Sequence, residues 1–430
     1  MIASPGPPVA EASFALTLPL LLFASLAVAG LALINAGLGR SRSAAQSMLG
    51  SLLMLSVSVL VFALFGATFA DGTSGPGHIF HLSGTAWNWA GTGPLALSGL
   101  AVSPIRTQLA LLFEFLALAL AVLIPWGSGA DRWRLTAGAA SAAVLAALVF
   151  PFVAHWIWGG GWLAQLGQNF SLGSGFLDVG GAATVHVLGG FSALAVIWIA
   201  GPRRGKFPKD GLATAMPGHN AVYVLFGCLI ALVGWLALNM AGALLWLGAL
   251  PSALPGTAIN TLLSAAAALA ATFTVTSIRF GKPDASLCAN GWLAGLITSS
   301  ACASLVSPLA AIFTGLVAGI AVPFLVEFLE LAVSIDDPSG AVSVHAAGGL
   351  WGLLAAGIFA PQPGQLLAQL IGISALLGFV LPLIYLLFAL LNRVVPFRVD
   401  PDGERIGMDL HELGGGAYPE FVVHRDDSYR

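Results

Sequence analysis

Two stretches of this 430-residue chain match each other: DVGGAATVHVLGG, from Asp178 to Gly190, and DPSGAVSVHAAGG, from Asp337 to Gly349. Aligned on the aspartate, the two copies are identical at seven of thirteen positions, including a histidine eight residues after the aspartate. Each copy opens an apolar run that is long enough to cross a bilayer. We therefore predict an internal repeat in which each copy carries one histidine into a membrane span.

The composition is that of a membrane protein. Hydrophobic residues make up 58% of the chain and charged residues only 8%, with a mean hydropathy of +0.92, whereas a soluble domain carries about 25% charged residues. This excludes an ordinary soluble enzyme and a disordered chain, and the net charge of −3 gives no indication of nucleic-acid binding. Cys228, Cys288 and Cys302 form neither a disulfide framework nor a zinc motif. We expect no metal and no other cofactor.

Apolar runs predict an all-α polytopic membrane protein with eleven transmembrane helices. The predicted spans are 14–38, 45–70, 107–126, 135–158, 179–200, 220–247, 259–278, 286–305, 308–328, 341–360 and 366–391. Of the 16 lysines and arginines, 15 follow odd-numbered spans or lie in the tail, and only Arg106 lies on the other side. The positive-inside rule then predicts a multi-pass protein of the cell (inner or plasma) membrane, with the N-terminus outside and the C-terminus in the cytoplasm.

The two matching copies open the fifth and tenth predicted spans. Because five spans per repeat is an odd number, we predict two inverted five-helix repeats, at about 14–200 and 220–360, plus a C-terminal helix at 366–391. These elements form a membrane domain, 1–391, followed by a cytoplasmic tail, 392–430. Each histidine lies about 12 Å deeper than its aspartate at 1.5 Å per residue. The repeat therefore predicts that both imidazoles meet near the middle of the bilayer.

The histidines and aspartates of the repeat have different expected roles. A lone histidine on an apolar helix is more often a core residue bonded to a backbone carbonyl, but two symmetry-related ones at bilayer depth favour a pathway. We therefore assign His186 and His345 to a pore. Asp178 and Asp337 stand at helix N-termini, where a carboxylate caps unpaired N–H groups, so we predict structural caps near the pore.

Several motifs closely resemble those of the Amt/Mep/Rh ammonium transporters, and Amt/Mep more than Rh. They are the D-x7-H pattern in the fifth span, DDP-x5-VH-x2-GG-x-WG from Asp336 to Gly352, WGGGWLA from Trp158 to Ala164, and GWLALN from Gly234 to Asn239. The resemblance implies an Amt-like homotrimer surrounded by lipid, each subunit with its own narrow pore. It also implies that His186 and His345 are paired pore histidines and that Trp158 helps to recruit ammonium at the outer mouth.

The chain departs from that family at the outer site. Leu238 stands where the family has a gate phenylalanine, and the recruitment serine is replaced by Gly242, or by Ala243 if one residue is inserted. Either Phe113 or Phe115 is the candidate for the other gate ring. The loss of the hydroxyl predicts weak recruitment and predicts that Gly242→Ser tightens ammonium binding.

Glu114 is unusual because it lies eight residues into the third span. In a structural interpretation, Glu114 reaches the outer vestibule or pairs with Arg106. In a functional interpretation, its carboxylate attracts cations in place of the lost hydroxyl. We weigh these two interpretations evenly. At the cytoplasmic face the resemblance raises the possibility of a PII-type regulator. Leu413 and Gly415 stand where the family's tail has histidine and glutamate, which weakens that expectation.

Two other functions remain alternatives to an ammonium transporter or channel that recruits NH4+ and conducts NH3, with or without a separate proton. One is an ammonium sensor on the same fold with little transport. The other is an Rh-like channel for a neutral gas, against which the retained Trp158 argues. An enzyme is not expected, because no nucleophile–base pair or set of metal ligands faces the predicted pore.

Overall fold

The computed structural model describes residues 7–70, 77–82, 84–209 and 211–418, with side chains from Glu11 onward. The described chain is predominantly helical, as predicted. Its eleven long helices are α1 (Pro7–Leu38), α2 (Ser41–Ala70), α3 (Ile105–Ser128), α4 (Leu135–Ile157), α5 (Ala182–Ala200), α6 (Ala221–Trp246), α7 (Pro251–Phe280), α8 (Ala285–Cys302), α9 (Pro308–Leu331), α10 (Ala341–Phe359) and α11 (Gln365–Val394).

Ten of these helices in the described part of the chain are long and apolar enough to cross a membrane. The exception is α8, in which 14 of 18 residues are buried. It packs against α6, α7, α9 and α10, so other helices surround it. The predicted positions of the helices agree with the structure to within a few residues, except that α1 starts seven residues and α7 eight residues before the predicted spans. The number of eleven spans stays a prediction.

Large apolar side chains project outward from the helices. Leu22, Leu52, Leu229 and Ile278 each expose more than 60% of their surface. So much exposed apolar surface would be unfavourable in water, but it suits helices that face lipid. The fold is therefore that of a multi-pass membrane protein.

Short elements occupy the segments between the spans. An antiparallel hairpin of β1 (Ile79–Leu82) and β2 (Thr85–Asn88) follows α2, with Phe80 opposite Trp87. A short helix, Leu166–Phe170, lies between α4 and α5. The apolar runs of the sequence do not reveal the hairpin.

The starts of α5 and α10 have the same unusual local structure. Gly181 and Gly340 adopt left-handed backbone conformations, with φ of 96° and 68°, which a glycine tolerates at little cost. A π-helical turn follows each glycine, Ala182–Val187 in α5 and Ala341–Ala346 in α10. Both copies of the sequence repeat therefore fold alike, with the histidine inside the π-helical turn. Their inverted relation stays a prediction.

The described part of the tail packs against the starts of α2 and α4. The Asp409 carboxylate accepts hydrogen bonds from the backbone N–H groups of Ala45 (3.1 Å) and Gln46 (2.7 Å). The Glu412 carboxylate accepts one from the backbone N–H of Leu135 at 3.1 Å. Both acids thus satisfy unpaired groups at helix N-termini, where the helix dipole also favours negative charge.

Candidate functional site

The two repeat histidines meet in the interior of the helix bundle. His186 Nδ1 lies 3.2 Å from His345 Nδ1, and both side chains are buried. The π-helical turns hold the rings in this position, and such turns are frequent at functional sites. The predicted contact between the two imidazoles is therefore present.

Trp235 of α6 completes this buried group, and the sequence reasoning missed it. Its ring stacks on that of His186, with centroids 5.4 Å apart and an interplanar angle of 8°. Within the described residues, neither His186 Nε2 nor Trp235 Nε1 has a hydrogen-bond partner. A small polar molecule could therefore find a donor and an acceptor here. Trp235 stands inside the GWLALN motif, three residues before Leu238, and that motif could have pointed to it.

Asp178 and Asp337 make capping contacts in the two copies. The Asp178 carboxylate accepts hydrogen bonds from the N–H groups of Gly181, Ala183 and Thr184 at 2.9–3.0 Å. The Asp337 carboxylate accepts one from Val342 N–H at 2.7 Å and another from a serine hydroxyl, Ser128 Oγ, also at 2.7 Å. The geometry fits helix caps that fix the starts of the two histidine turns.

A cavity of about 310 Å3 opens at the ends of α2, α4 and α6 that lie away from the described tail. Charged and aromatic side chains share its wall with apolar ones. Its lining residues are Ala67, Ala70, Pro94, Leu97, Leu100, Ser103, Arg106, Thr107, Ala110, Leu111, Glu114, Trp158, Gly159, Gly160 and Trp246. Two predicted recruitment residues, Trp158 and Glu114, thus share one cavity with Arg106.

Three aromatic rings form one wall of this cavity and the layer next to it. The rings of Trp158 and Trp246 are parallel, with centroids 5.2 Å apart and an interplanar angle of 3°. The Phe113 ring is perpendicular to both, at 5.1 Å and 5.5 Å. Trp158 Nε1–H donates to the Asp178 carbonyl oxygen at 2.6 Å, which ties the Trp158 ring to the segment before α5. Trp246 was missed, although it follows Gly242 by one helical turn.

Besides Phe113, three predicted recruitment residues lie outside the cavity lining. The Phe115 ring packs edge-on against Phe62, 5.7 Å between centroids, so Phe113 is the ring that reaches the outer tryptophans. Leu238 is fully buried. A Cβ added to Gly242 would collide with the backbone carbonyl of Val179. The expectation that a serine fits at position 242 is therefore corrected, because the chain itself fills that space.

A cluster of buried charges lies at the opposite end of the bundle. Asp336 accepts hydrogen bonds from Arg203 Nε at 3.0 Å and Nη2 at 2.8 Å, and Arg132 lies 3.8 Å from it. Arg203 also pairs with Asp131, 3.3 Å away, and Asp131 with Arg40. The links after α1, α3 and α5 therefore meet, as the predicted distribution of basic residues requires.

The cluster shifts the ionisation of Asp336. Burial alone would raise the pKa of this carboxyl, but the hydrogen bonds from Arg203 and the charges of Arg132 and Arg203 outweigh burial and lower the pKa to about 2. Asp336 is thus ionised at neutral pH. Since it directly precedes the Asp337 cap, the ion pairs also anchor the start of α10.

No group of three or more His, Cys, Asp or Glu suited to a metal ion occurs among the residues described. His78 and His81 lie at the hairpin of β1 and β2, and both are exposed. The expectation that the protein has no metal site rests on the sequence, in which Cys228, Cys288 and Cys302 form no zinc motif.

The fold and the buried site define a multi-pass membrane protein of the transporter class. Comparison with known proteins makes this specific: the chain belongs to the Ammonium Transporter Family, whose sequence model matches residues 14–418. It is 33% identical over 416 residues to the ammonium transporter Amt2 of Archaeoglobus fulgidus, covering 92% of this chain and 85% of that protein. It is 30% identical to an ammonium transporter of Bacillus subtilis, covering 91% of this chain and 95% of that protein. These relatives are membrane transporters rather than enzymes.

Solved structures agree with this assignment. A protein described as a sensor Amt protein superposes with a TM-score of 0.84 at 26% identity, covering 94% of this chain and 98% of that one. The Mep2 protein of Candida albicans superposes with a TM-score of 0.77 at 22% identity, covering 96% of this chain and 91% of that one. The second likeness shows a shared fold. The resemblance inferred from the motifs is confirmed.

Proposed function

We propose that this protein recruits ammonium cations in the outer cavity and conducts ammonia along a path lined by His186 and His345. The observation that carries the proposal is the contact between the two imidazoles, 3.2 Å between their Nδ1 atoms. Histidine is a natural choice for this position because its neutral ring both donates and accepts a hydrogen bond.

Recruitment takes place where aromatic faces and a carboxylate line the same cavity. An aromatic ring attracts a small cation through its quadrupole, and Trp158 and Trp246 both face the cavity. Glu114 adds a negative group to that wall. A cation that leaves bulk water here exchanges part of its hydration for these contacts.

Beyond the aromatic layer, a charged species is costly because the surroundings are apolar and buried. Ammonium therefore gives up its proton before it passes, and neutral ammonia moves on to the histidine pair. There the unpaired ring atoms of His186 and Trp235 can hydrogen-bond to it. The proton either stays outside or follows separately along the imidazoles.

The proposed setting is the cell membrane, with the N-terminus outside and the tail in the cytoplasm. We further propose a homotrimer with one conduction path per subunit. The meeting of the basic links at one end of the bundle supports a common cytoplasmic side.

A PII-type partner would approach this face. The tail carboxylates Asp409 and Glu412 already occupy helix N-termini there, which leaves the exposed link around Leu212 as the more accessible surface.

A flux assay on the purified full chain in liposomes tests the proposal. An inward ammonium gradient should change the internal pH, and recording the current at the same time separates ammonia passage from net charge movement. His186→Ala and His345→Ala should each change flux or selectivity. Wild-type protein that carries neither ammonium nor ammonia would contradict the proposal.

A sensor on the same fold is the second candidate. The similarity to a protein described as a sensor Amt protein and the loss of the hydroxyl at Gly242 favour it. A sensor would bind ammonium without flux, so binding to the reconstituted chain together with an absence of transport would favour this candidate over the first.

A further inference from the structure

We propose that Trp246 presents the ring face that first binds the ammonium cation, in place of Trp158. This inference rests on the proposed function, because it concerns which residue of the recruitment site meets the cation. It assigns a binding role to a residue at the end of α6 that the family motifs do not mark.

The stacking of the two indoles excludes a cation from the space between them. A cation in contact with two ring faces needs van der Waals distance on both sides, roughly 7 Å between the ring planes. The Trp158 and Trp246 centroids are only 5.2 Å apart and the rings are parallel within 3°. The face of Trp158 that points toward Trp246 is therefore covered.

Exposure favours Trp246 as the ring that the cation reaches. Trp158 retains only 9% of its surface, whereas Trp246 is half-buried, and both line the outer cavity. One face of Trp246 rests on Trp158, and the residue lines the cavity. Phe113 stands perpendicular to both rings and is fully buried.

Arg106 holds the end of α6 beside the cavity. Its Nη2 donates a hydrogen bond to the carbonyl oxygen of Leu245 at 2.9 Å, one residue before Trp246. This contact satisfies an unpaired carbonyl in the last turn of the helix. Glu114 lies in the same wall as the indole. An aromatic face beside a carboxylate is a suitable setting for a small cation.

Helical spacing explains how Trp246 compensates for the aromatic ring and the hydroxyl that this chain lacks on α6. Leu238 and Gly242 provide neither a ring nor a hydroxyl, and Trp246 continues the same series at intervals of four residues. Residues four apart share one helix face. A ring at the end of that face therefore supplies the aromatic contact that the two earlier positions have lost.

Fluorine NMR on the full chain labelled with 5-fluorotryptophan, in lipid nanodiscs, tests this directly. The Trp246, Trp158 and Trp198 resonances are assigned by their loss in Trp246→Phe, Trp158→Phe and Trp198→Phe. Titration with ammonium chloride, at ionic strength matched with sodium chloride, should shift the Trp246 resonance most. The Trp198 resonance should not move, because that residue lies on the lipid-facing part of α5 and is 51% exposed.

Transport provides the second readout. Trp246→Leu should raise the apparent KM for ammonium about 3- to 30-fold, the range expected for loss of one cation–π contact. Trp246→Phe should retain most of the affinity, and Trp198→Leu should leave KM unchanged.

Two results would overturn the inference while leaving the proposed function intact. In one, the protein transports ammonium but only the Trp158 resonance responds. In the other, Trp246→Leu tightens apparent affinity, which would make Trp246 a lid over Trp158. If the wild-type chain neither binds nor carries ammonium, the proposed function itself fails.

Discussion

His186 Nδ1 and His345 Nδ1 lie within hydrogen-bonding distance of each other, at 3.2 Å, although the two residues are 159 positions apart. Two neutral imidazoles can form this bond only if one carries its proton on Nδ1 and the other on Nε2. The pair is therefore chemically asymmetric even though the repeat makes it structurally similar. The Nε2 atom of one ring then accepts a hydrogen bond, and the Nε2–H group of the other ring donates one. An ammonia molecule that passes the pair therefore meets an acceptor on one ring and a donor on the other.

Removing either histidine should change conduction because the two rings act as one unit. His186→Ala or His345→Ala leaves the remaining Nδ1 without its partner, so ammonium flux should fall or lose selectivity. The double variant should be far from additive, as expected for residues in direct contact. The liposome assay with simultaneous current and internal pH measures this. His81→Ala, in the exposed hairpin, is the control; unchanged flux and selectivity in both single variants would exclude the pore assignment.

Gly242→Ser should destabilise the protein and should not improve ammonium binding. The added Cβ meets the backbone carbonyl of Val179, one residue after the Asp178 cap. Overpacking of this kind costs about 1–3 kcal/mol, so the unfolding temperature in detergent should drop by several degrees. Gly256→Ser is a matched control, since nothing lies within 4 Å of its added Cβ. A Gly242→Ser variant with unchanged unfolding temperature and tighter ammonium binding would contradict this prediction.

Cysteine labelling should establish which side each loop faces. The three native cysteines are buried, so an introduced cysteine reports on its own position. Leu212→Cys, in the link after α5, should react with an impermeant maleimide only after the cells are opened. Val102→Cys, before α3, should react in intact cells. Both native side chains are more than 80% exposed, so the reverse pattern would mean that the predicted orientation is inverted.

Asp336→Asn should destabilise the protein in a pH-dependent way. The ion pairs lower the pKa of Asp336 from 3.8 to about 2, so their stabilisation is present above the unfolded pKa and is lost as the pH falls through the folded pKa. The shift corresponds to about 2 kcal/mol at neutral pH. The unfolding temperatures of wild type and variant should differ by a constant amount above about pH 4 and converge below it. Asp402→Asn, at an 85% exposed side chain, should show no such difference; parallel curves for Asp336→Asn down to pH 2 would refute the assignment.

The sequence predicted the helices and the histidine pair because both leave a local signature. Apolar runs of span length and a repeated D-x7-H pattern are visible without any knowledge of packing. The agreement extends to Asp178 and Asp337, whose capping contacts follow from their position at helix starts. The distribution of lysine and arginine along the sequence was also enough to predict that the links after α1, α3 and α5 lie at the same end of the bundle.

The outer site was less predictable because it depends on contacts between distant segments. Trp158 directly follows α4 and Trp246 ends α6, and nothing in either segment indicates that the two rings stack. The space at Gly242 is filled by the backbone before α5, which a residue-by-residue comparison with a family motif does not detect. Trp235 was within a quoted motif, yet its contact with His186 required the fold.

The role of Glu114 can be decided by pairing its replacement with that of Arg106. If the carboxylate attracts the cation, Glu114→Gln should weaken ammonium binding about tenfold or more, since a hydrogen bond to a charged group contributes roughly 1.5–3 kcal/mol. The effect should change little at high salt, because Glu114 is only 8% exposed and buried charges are screened less than exposed ones. If Glu114 serves only to balance Arg106, the double variant Glu114→Gln with Arg106→Gln should recover the wild-type affinity. We expect no such recovery, because Glu114 lines the same cavity as Trp158 and Trp246. Ammonium titrations of the two single variants and the double variant, in nanodiscs at low and high salt, measure both outcomes. Full recovery in the double variant would assign Glu114 a structural role.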